Sequence, residues 1–497
     1  VNEQEKNLNI NDLVDIMRGA LGALSGFLIR FGARVTFLFF AGNFYGADRL
    51  GTFAYTIAIV ETMAALATFG MKRSLFPSLK KAKSHSNAER QIALSAIAIA
   101  TFLGVAFACL LAYVLWPILG LPNGTIAFYL FAFTIPLLSM SEVFLSLTRH
   151  RRKIKYEVIC RSIVEPWAIM IFSIGAYFIG WHDEGLLMAY FFALSLSLII
   201  SIIGFSKLYN ILAMLKAGVS VKSIKTLFAF SAPTAVVEVI ALAFRRIDIF
   251  FLGMFTSDVV VGIYYAAQNI ATLVEKIRHI FDPILAPIVS QTMTSRGLKA
   301  AGIQLEQVCR VIFTLLAMQT LLLSFYAEPI LNGIGDGMGI GALALVILMI
   351  AEAIDGSLAS SELPIVFNRP RINLILSLTG ISIHIAGCLL LIPVYGAVGA
   401  ALSLLMALVA LNILRLAFAK KLFNINVLSY LYYKPITALI TSALCLYAVD
   451  SYILPLREQF NWPVGVILSL GVYIVVLKML GISEEEKNLL GSFGSKK

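Results

Sequence analysis

Apolar windows of about twenty residues, the length a helix needs to cross a bilayer, recur along the chain with short polar stretches between them. They fall near 19 to 42, 52 to 71, 91 to 116, 125 to 148, 157 to 181 and 185 to 206. A second set of six follows near 226 to 253, 259 to 281, 308 to 327, 340 to 360, 372 to 392 and 396 to 418, and a final pair near 434 to 453 and 463 to 481. The pattern predicts an all-α polytopic membrane protein of about fourteen transmembrane helices.

The two sets of six read as copies. Arg34 and the following FLFFAGNFYGADRLGTFAY with Gly42 and Gly51 are matched, at a displacement of 211 residues, by Arg245 and the following IFFLGMFTSDVVVGIYY with Gly253 and Gly262. The same displacement links Gly185 to Gly396, and one of 210 links Pro77 to Pro287. An even number of spans per copy makes both enter the membrane in the same direction, a parallel repeat about an axis along the membrane normal. The expected organisation is a cytoplasmic tail over 1 to 18, an N-lobe over 19 to 210, a C-lobe over 211 to 420, and a C-terminal helix pair with a cytoplasmic tail over 421 to 497. Two such pseudo-symmetric lobes leave a central cavity, the usual substrate site in transporters of this kind. Prolines at span positions such as Pro136, Pro166 and Pro233 supply bends that suit alternating access, whereas Pro117, Pro364 and Pro393 read as helix ends.

Charge then orients the array. Of the 39 Lys and Arg residues, 32 fall in alternate segments that read as cytoplasmic, Arg49 and Arg457 alone fall in the opposite loops, and five lie within spans. By the positive-inside rule both termini are expected in the cytoplasm. Charged residues make up 13% of the chain, against roughly a quarter in soluble domains, and the mean hydropathy is +0.88, which excludes a water-soluble core. The excess charge of +11 lies on loops that meet anionic membrane lipid, so it calls for no nucleic-acid partner. The five cysteines, Cys109, Cys160, Cys309, Cys388 and Cys445, are scattered through apolar stretches and read as small core residues. The polar start VNEQEKNLNINDLVDIM lacks a basic signal-peptide region, so the first span is expected to be retained.

Chemistry is sought among the intramembrane charges. Arg30 and Arg34 are four apart on one face of the first span, near mid-bilayer. An arginine there costs about 2.5 to 3.5 kcal/mol, so the pair is expected to face a wet cavity or acidic partners. The matching span of the second copy offers Arg245, Arg246 and Asp248; Arg245 and Asp248 are spaced to pair locally, and Arg246 points about 100° away and needs another partner. A guanidinium is always charged and grips phosphate in a bidentate fashion, so arginines on both lobes suit a phosphate-bearing substrate. The alternative is that they are interhelical ties neutralised by Glu61, Glu142, Glu165, Glu238 or Glu275. Glu61, Asp248, Glu352 and Asp355 are candidate counter-ions or coupling carboxylates for H+ or Na+, and Arg161 with Glu165 reads as a pair within the fifth span.

No His-Glu-x-x-His, Gly-x-Ser-x-Gly or Gly-Lys-Ser/Thr motif occurs, so no metal centre, hydrolase elbow or ATP site is expected, and no cofactor. The five histidines do not cluster, and His384, the one clearly within a span, reads as a packing residue. GIGDGMGIG at 333 to 341 lacks a preceding strand and reads as a turn.

Three segments together resemble the multidrug/oligosaccharidyl-lipid/polysaccharide (MOP) superfamily. They are FGARVTFLFFAGNFYGADRLGTFAY, RRIDIFFLGMFTSDVVVGIYYAAQNI followed by DPILAPIVSQ, and NRPRINLILSLTGISIHIAGCLLLIPVYGAVGAALS. Within it the chain is similar to the polysaccharide-transporter branch that includes Wzx-type O-antigen flippases. The resemblance implies a two-lobed flippase in the bacterial cytoplasmic membrane that moves an undecaprenyl-pyrophosphate-linked oligosaccharide to the periplasmic leaflet by alternating access, working beside polysaccharide polymerase and assembly machinery. In the related lipid II flippases first-span arginines serve the pyrophosphate, and Arg30 and Arg34 occupy the comparable span. An ion-coupled exporter of a small molecule or drug is the competing reading, although such exporters need twelve helices and an acidic cavity. A polysaccharide polymerase or ligase would need a substantial periplasmic loop, and the largest candidate, 328 to 339, is too small.

Overall fold

The computed structural model describes residues 29–80, 86–118, 126–453 and 462–481, and every regular element among them is helical. The tail over 1 to 18, the start of the first span and the tail beyond residue 481 lie outside the described residues. Helices α1 (29–40), α2 (Gly46–Thr68), α3 (Asn87–Leu110), α4 (Thr134–His150), α5 (Glu165–Ile179) and α6 (Gly185–Ser206) stand where the first six spans are expected. They are followed by α7 (Val221–Phe255), α8 (Asp258–Ser295), α9 (Leu298–Phe325), α10 (Ala342–Leu358), α11 (Pro370–Phe423), α12 (Tyr433–Ala448) and α13 (Trp462–Met479). Among the described residues nine helical stretches are long and apolar enough to cross a membrane, and two of them, Ile29–Lys80 and Pro370–Phe423, each run through two expected spans.

Glycine makes the breaks inside those two long stretches. Gly46 takes φ 85° between α1 and α2, and Gly396 takes φ 54° within α11, values that cost an L side chain strain but glycine nothing. The other copies of these two points are breaks as well. Position 257, which is 211 residues after Gly46, is the irregular residue before α8, and Gly185, which precedes Gly396 by the same interval, opens α6.

The chain divides into two compact units, the first comprising 1–262 with 333–336 and the second 263–332 with 337–497. In the first, α2 is buried along most of its length and packs against α3, α4 and α7. Without a hydrophobic drive between helices in lipid, close approach rests on small residues and hydroxyl bonds. Gly104 of α3 leaves room for Pro136 and Ser139 of α4, the Ser139 hydroxyl donates to the Ala100 carbonyl at 3.1 Å, and Ser141 meets Ser201 of α6 at 3.1 Å. Met71, Leu75, Phe144, Leu147, Leu198 and Phe205 fill the space beside them.

The tightest approach in this unit lies between α2 and the first turn of α8. A Cβ placed on Gly51 would stand 1.7 Å from the Asp258 carbonyl oxygen, and one placed on Gly262 would stand 1.9 Å from that of Ala47. Gly262 and Asp258 are the 211-residue partners of Gly51 and Ala47, so the two close approaches involve matching sequence positions. Thr52 adds a hydrogen bond to Asp258 at 2.6 Å. Beside this crossing, Asn43 donates to the carbonyls of Gly333 and Ile334 at 3.0 and 2.9 Å, which pins the Gly-rich turn to the end of α1.

In the second unit α10 packs against α9 and α11, and α12 pairs with α13. The pair docks on α9 through Met318, Ala438 and Tyr473, whose hydroxyl donates to the Thr314 carbonyl at 2.8 Å. The GIGDGMGIG segment follows a helix, Ala327–Ile334, and ends in the 3-10 turn Met338–Gly341, with no strand before it.

Candidate functional site

Charges cluster in the interior of the first unit. Arg30 and Arg34 lie one turn apart on α1, Arg30 half-buried and Arg34 exposed. Among the described residues no carboxylate stands within ion-pair distance, 4.0 Å, of either guanidinium. Arg30 nonetheless lies in electrostatic range of Arg34, Glu165 and Arg161.

Arg161 holds two carboxylates at once. It sits in the π-turn Ile159–Val164, just ahead of Glu165 and Pro166, where the extra residue of the turn re-aims the side chains that follow. One guanidinium nitrogen donates to Glu165 at 2.6 Å and another to Glu142 of α4 at 2.5 Å. Lys72 approaches the same Glu142 oxygen at 3.4 Å. Tyr190 of α6, only 4% exposed, joins this group to the next, lying in electrostatic range of Glu165, Arg161, Glu61 and Arg246.

Arg246 of α7 is tied to Glu61 of α2, its Nε and Nη2 reaching one carboxylate oxygen at 2.8 and 2.7 Å. Arg245 is exposed. Asp248 is fully buried, and its Oδ1 accepts the backbone N–H of Ile249 at 2.8 Å. The first unit therefore brings together Arg30, Arg34, Glu61 and Arg246 with Glu142, which the sequence offers as an interhelical tie, with Arg161, which it offers as a local partner of Glu165, and with Tyr190, which it does not single out. Tyr190 is one aromatic residue within an apolar span, and nothing in the sequence pattern singles it out.

The carboxylates Glu352 and Asp355 belong to the second unit. Asp355 of α10 receives Arg278 of α8 at 3.2 Å on one oxygen, and Asn412 and Arg415 of α11 at 3.0 and 3.5 Å on the other. Arg415 also pairs with Glu362. Glu352 is half-buried about one turn earlier on the same helix. Asp355 thus joins three helices through a dense set of partners.

Comparison with known proteins locates this architecture. A family profile described as "Polysaccharide biosynthesis protein" matches residues 16–293. No curated protein sequence matches the chain. Among solved structures, the chain is similar to the lipid II flippase MurJ in an inward closed conformation, with a TM-score of 0.72 at 14% identity, covering 93% of this chain and 98% of that one. It is also similar to an inward-facing multidrug resistance MATE family transporter of the MOP superfamily, with a TM-score of 0.64 at 11% identity, covering 80% and 94%. A MOP superfamily transporter from Pyrococcus furiosus, described by the reverse polarity of its binding pocket, aligns with a TM-score of 0.51 at 10% identity over 82% and 95%. The chain belongs to the polysaccharide biosynthesis protein family and is a multi-pass membrane protein with the fold of the MOP superfamily.

Proposed function

We propose that this protein is a transporter rather than an enzyme, a flippase that carries an undecaprenyl-pyrophosphate-linked oligosaccharide across the bacterial cytoplasmic membrane by alternating access. The cargo is a repeat unit of O-antigen, capsule or exopolysaccharide. The single observation that carries the reading is the pair Arg30 and Arg34: two guanidinium groups in the first span, one turn apart, with no described carboxylate at ion-pair distance. Arg161 and Arg246, also within apolar spans, are both paired. Leaving two arginines uncompensated against lipid costs several kcal/mol, so they line a hydrated path and hold an anion there. Two fixed positive charges at one-turn spacing match the two phosphates of a pyrophosphate, each phosphate a bidentate acceptor.

The fourteen-helix arrangement with both termini in the cytoplasm, and the division into an N-lobe, a C-lobe and a C-terminal pair, belong to this proposal. Support comes from the segregation of Lys and Arg and from the matched patches at Gly51 and Gly262. In alternating access the Gly51–Gly262 crossing is a contact that must part when the opposite face opens.

The test is translocation in proteoliposomes of a fluorescent lipid-pyrophosphate oligosaccharide. Alanine at Arg30 or Arg34 is expected to slow it about tenfold or more each, because a charge-assisted hydrogen bond is worth roughly 1.5 to 3 kcal/mol. Lysine should restore part of the loss, since it keeps the charge and loses the fork. Wild-type rates in the double alanine variant would remove the pair from the mechanism. Ion-coupled export of a small molecule or drug, the alternative that the similarity to a multidrug resistance MATE family transporter favours, predicts that its transport is retained when the arginines are removed.

A further inference from the structure

Between α6 and α7 the chain forms one short helix, Ile211–Ala217, whose two sides meet different surroundings. Asn210 caps its start, the side chain accepting the Ala213 N–H at 3.0 Å, and Gly218 ends it with φ 70°. Met214 is only 2% exposed and joins the apolar core of Met71, Leu75 and Ile92, while Gln91 of α3 donates to the Ala217 carbonyl at 3.0 Å. One side and the last turn therefore fix this helix to the first unit.

The other side is apolar and open. At about 100° per residue, Ile211, Leu215 and Leu212 share a single arc of about 100°, turned away from Met214. Leu215 is 61% exposed and Leu212 73%, and the exposed Val219 and Val221 continue the apolar strip past the helix. Lys216 stands at the edge of the arc, exposed. It is one of four exposed lysines, with Lys207, Lys222 and Lys225, in a stretch that holds no counter-charge: no Asp or Glu occurs between Glu184 and Glu238.

We infer that the segment 207–225 is a binding site for anionic phospholipid, at the place where the two sequence copies join. The helix lies in the plane of the membrane surface, its leucines seated at the boundary of headgroups and acyl chains and its lysines on the phosphates. Both halves of the surface are needed to select this occupant. An apolar row alone would accept any lipid, and four cations without an acid among them add a preference for a negative headgroup. Lysine suits the edge position, because its methylene stem stays with the leucines while the ammonium reaches the headgroup. The inference uses none of the intramembrane arginines and stands apart from the identity of the cargo.

The first test is native mass spectrometry of the full-length protein in detergent, titrated with dioleoyl phosphatidylglycerol or dioleoyl phosphatidylcholine. Wild type is expected to prefer phosphatidylglycerol. Changing Lys216→Gln, Lys222→Gln and Lys225→Gln together should weaken its binding about tenfold or more and leave phosphatidylcholine binding as it was, which also shows that the variant is folded. The control removes the same charge elsewhere: Arg152→Gln, Lys153→Gln and Lys155→Gln, exposed residues of the segment between α4 and α5, should change phosphatidylglycerol binding less than about twofold. Equal losses in the two variants would replace the site with a diffuse positive field, and no loss in the first would remove the lysines from lipid binding; either result overturns the inference. The second test places a spin label at Leu212→Cys, in a background whose five native cysteines are replaced by Ala or Ser, in vesicles of the two lipids mixed. Collisions with oxygen are expected to exceed those with a water-soluble nickel complex. A label open to nickel would put the leucine row in water, and an immobilised label reached by neither would put it against protein; both outcomes overturn the seating in lipid.

Discussion

Around Asp355 in the second unit, Arg278, Arg415 and Asn412 converge on one carboxylate, whereas on α1 in the first unit Arg30 and Arg34 stand one turn apart with no described carboxylate within 4.0 Å. The residue types are the same, and so is the cost of removing them from water. What differs is saturation. The Asp355 group is closed, its charges spent on one another, and it works as a knot that ties α8, α10 and α11. Among the described residues the α1 pair is open, and an open pair of cations in a membrane protein is stable only beside water or an anion. Charges at membrane depth mark function by what they leave unsatisfied rather than by their presence.

The largest expected effect separates the two regions by stability. Asp355→Ala leaves Arg278 and Arg415 buried without their shared partner, and breaking a buried pair in this way costs roughly 3 to 5 kcal/mol. Arg34→Ala removes an exposed side chain with no ion-pair partner among the described residues, and should cost no more than about 0.5 kcal/mol. Thermal unfolding of the two variants in detergent checks this. A similar loss in both would mean that the α1 arginines are structural ties, and the contrast between the regions would disappear.

Much of the architecture was legible in the sequence because the bilayer imposes a single length on every crossing. Helix α6 begins and ends where its apolar window does, and of the two glycines matched in the sequence Gly185 opens α6 while Gly396 breaks α11 at φ 54°, a backbone glycine tolerates. The pairing of charges was legible only where it was local. Arg161 and Glu165 are four residues apart and meet on one helix, but the second partner of Arg161, Glu142, lies on the neighbouring α4, and nothing in a one-dimensional pattern assigns it. Arg278 and Arg415 read as topology-setting charges of cytoplasmic segments, yet both reach Asp355, since a long side chain can lay its stem along the protein and place its charge away from its own backbone. The open state of Arg30 and Arg34 is likewise a tertiary fact: it depends on which carboxylates neighbouring helices do not bring close.

The next effect probes whether the open region also moves. Gly51→Ala sets a methyl against the Asp258 carbonyl, a backbone group that cannot swing aside, and Gly262→Ala does the same to Ala47. Such overpacking costs about 1 to 3 kcal/mol and acts on the crossing of α2 and α8 in this conformation. If the crossing is a contact that parts during transport, either substitution shifts the population toward the other face, and thiol labelling of Thr52→Cys should speed up while the protein stays folded. A fixed structural crossing predicts lower thermal stability with no change in labelling of the folded protein. The two glycines should behave alike, since they hold matching sequence positions.

The smallest expected effect concerns Arg246 and Glu61, which lie between the two extremes. Both belong to the first unit with the α1 pair, yet they are bonded to each other as the Asp355 group is, with a guanidinium laid along one carboxylate oxygen. Interhelical bonds in membrane proteins average about 0.6 kcal/mol and reach about 1.7 in double-mutant cycles, so a cycle of Arg246→Ala and Glu61→Ala should give a coupling in that range. The sign of the transport effect then assigns the pair. If it is a tie, restoring balance by removing both partners recovers most of the translocation that either single change loses, because no lone charge remains buried. If Arg246 also holds the substrate's anion, Glu61→Ala alone should tighten sulfate binding by exposing the guanidinium, and the double variant should stay as slow as Arg246→Ala. Recovery in the double variant would confine the proposed substrate-binding cations to α1 within this unit, and failure to recover would extend them to α7.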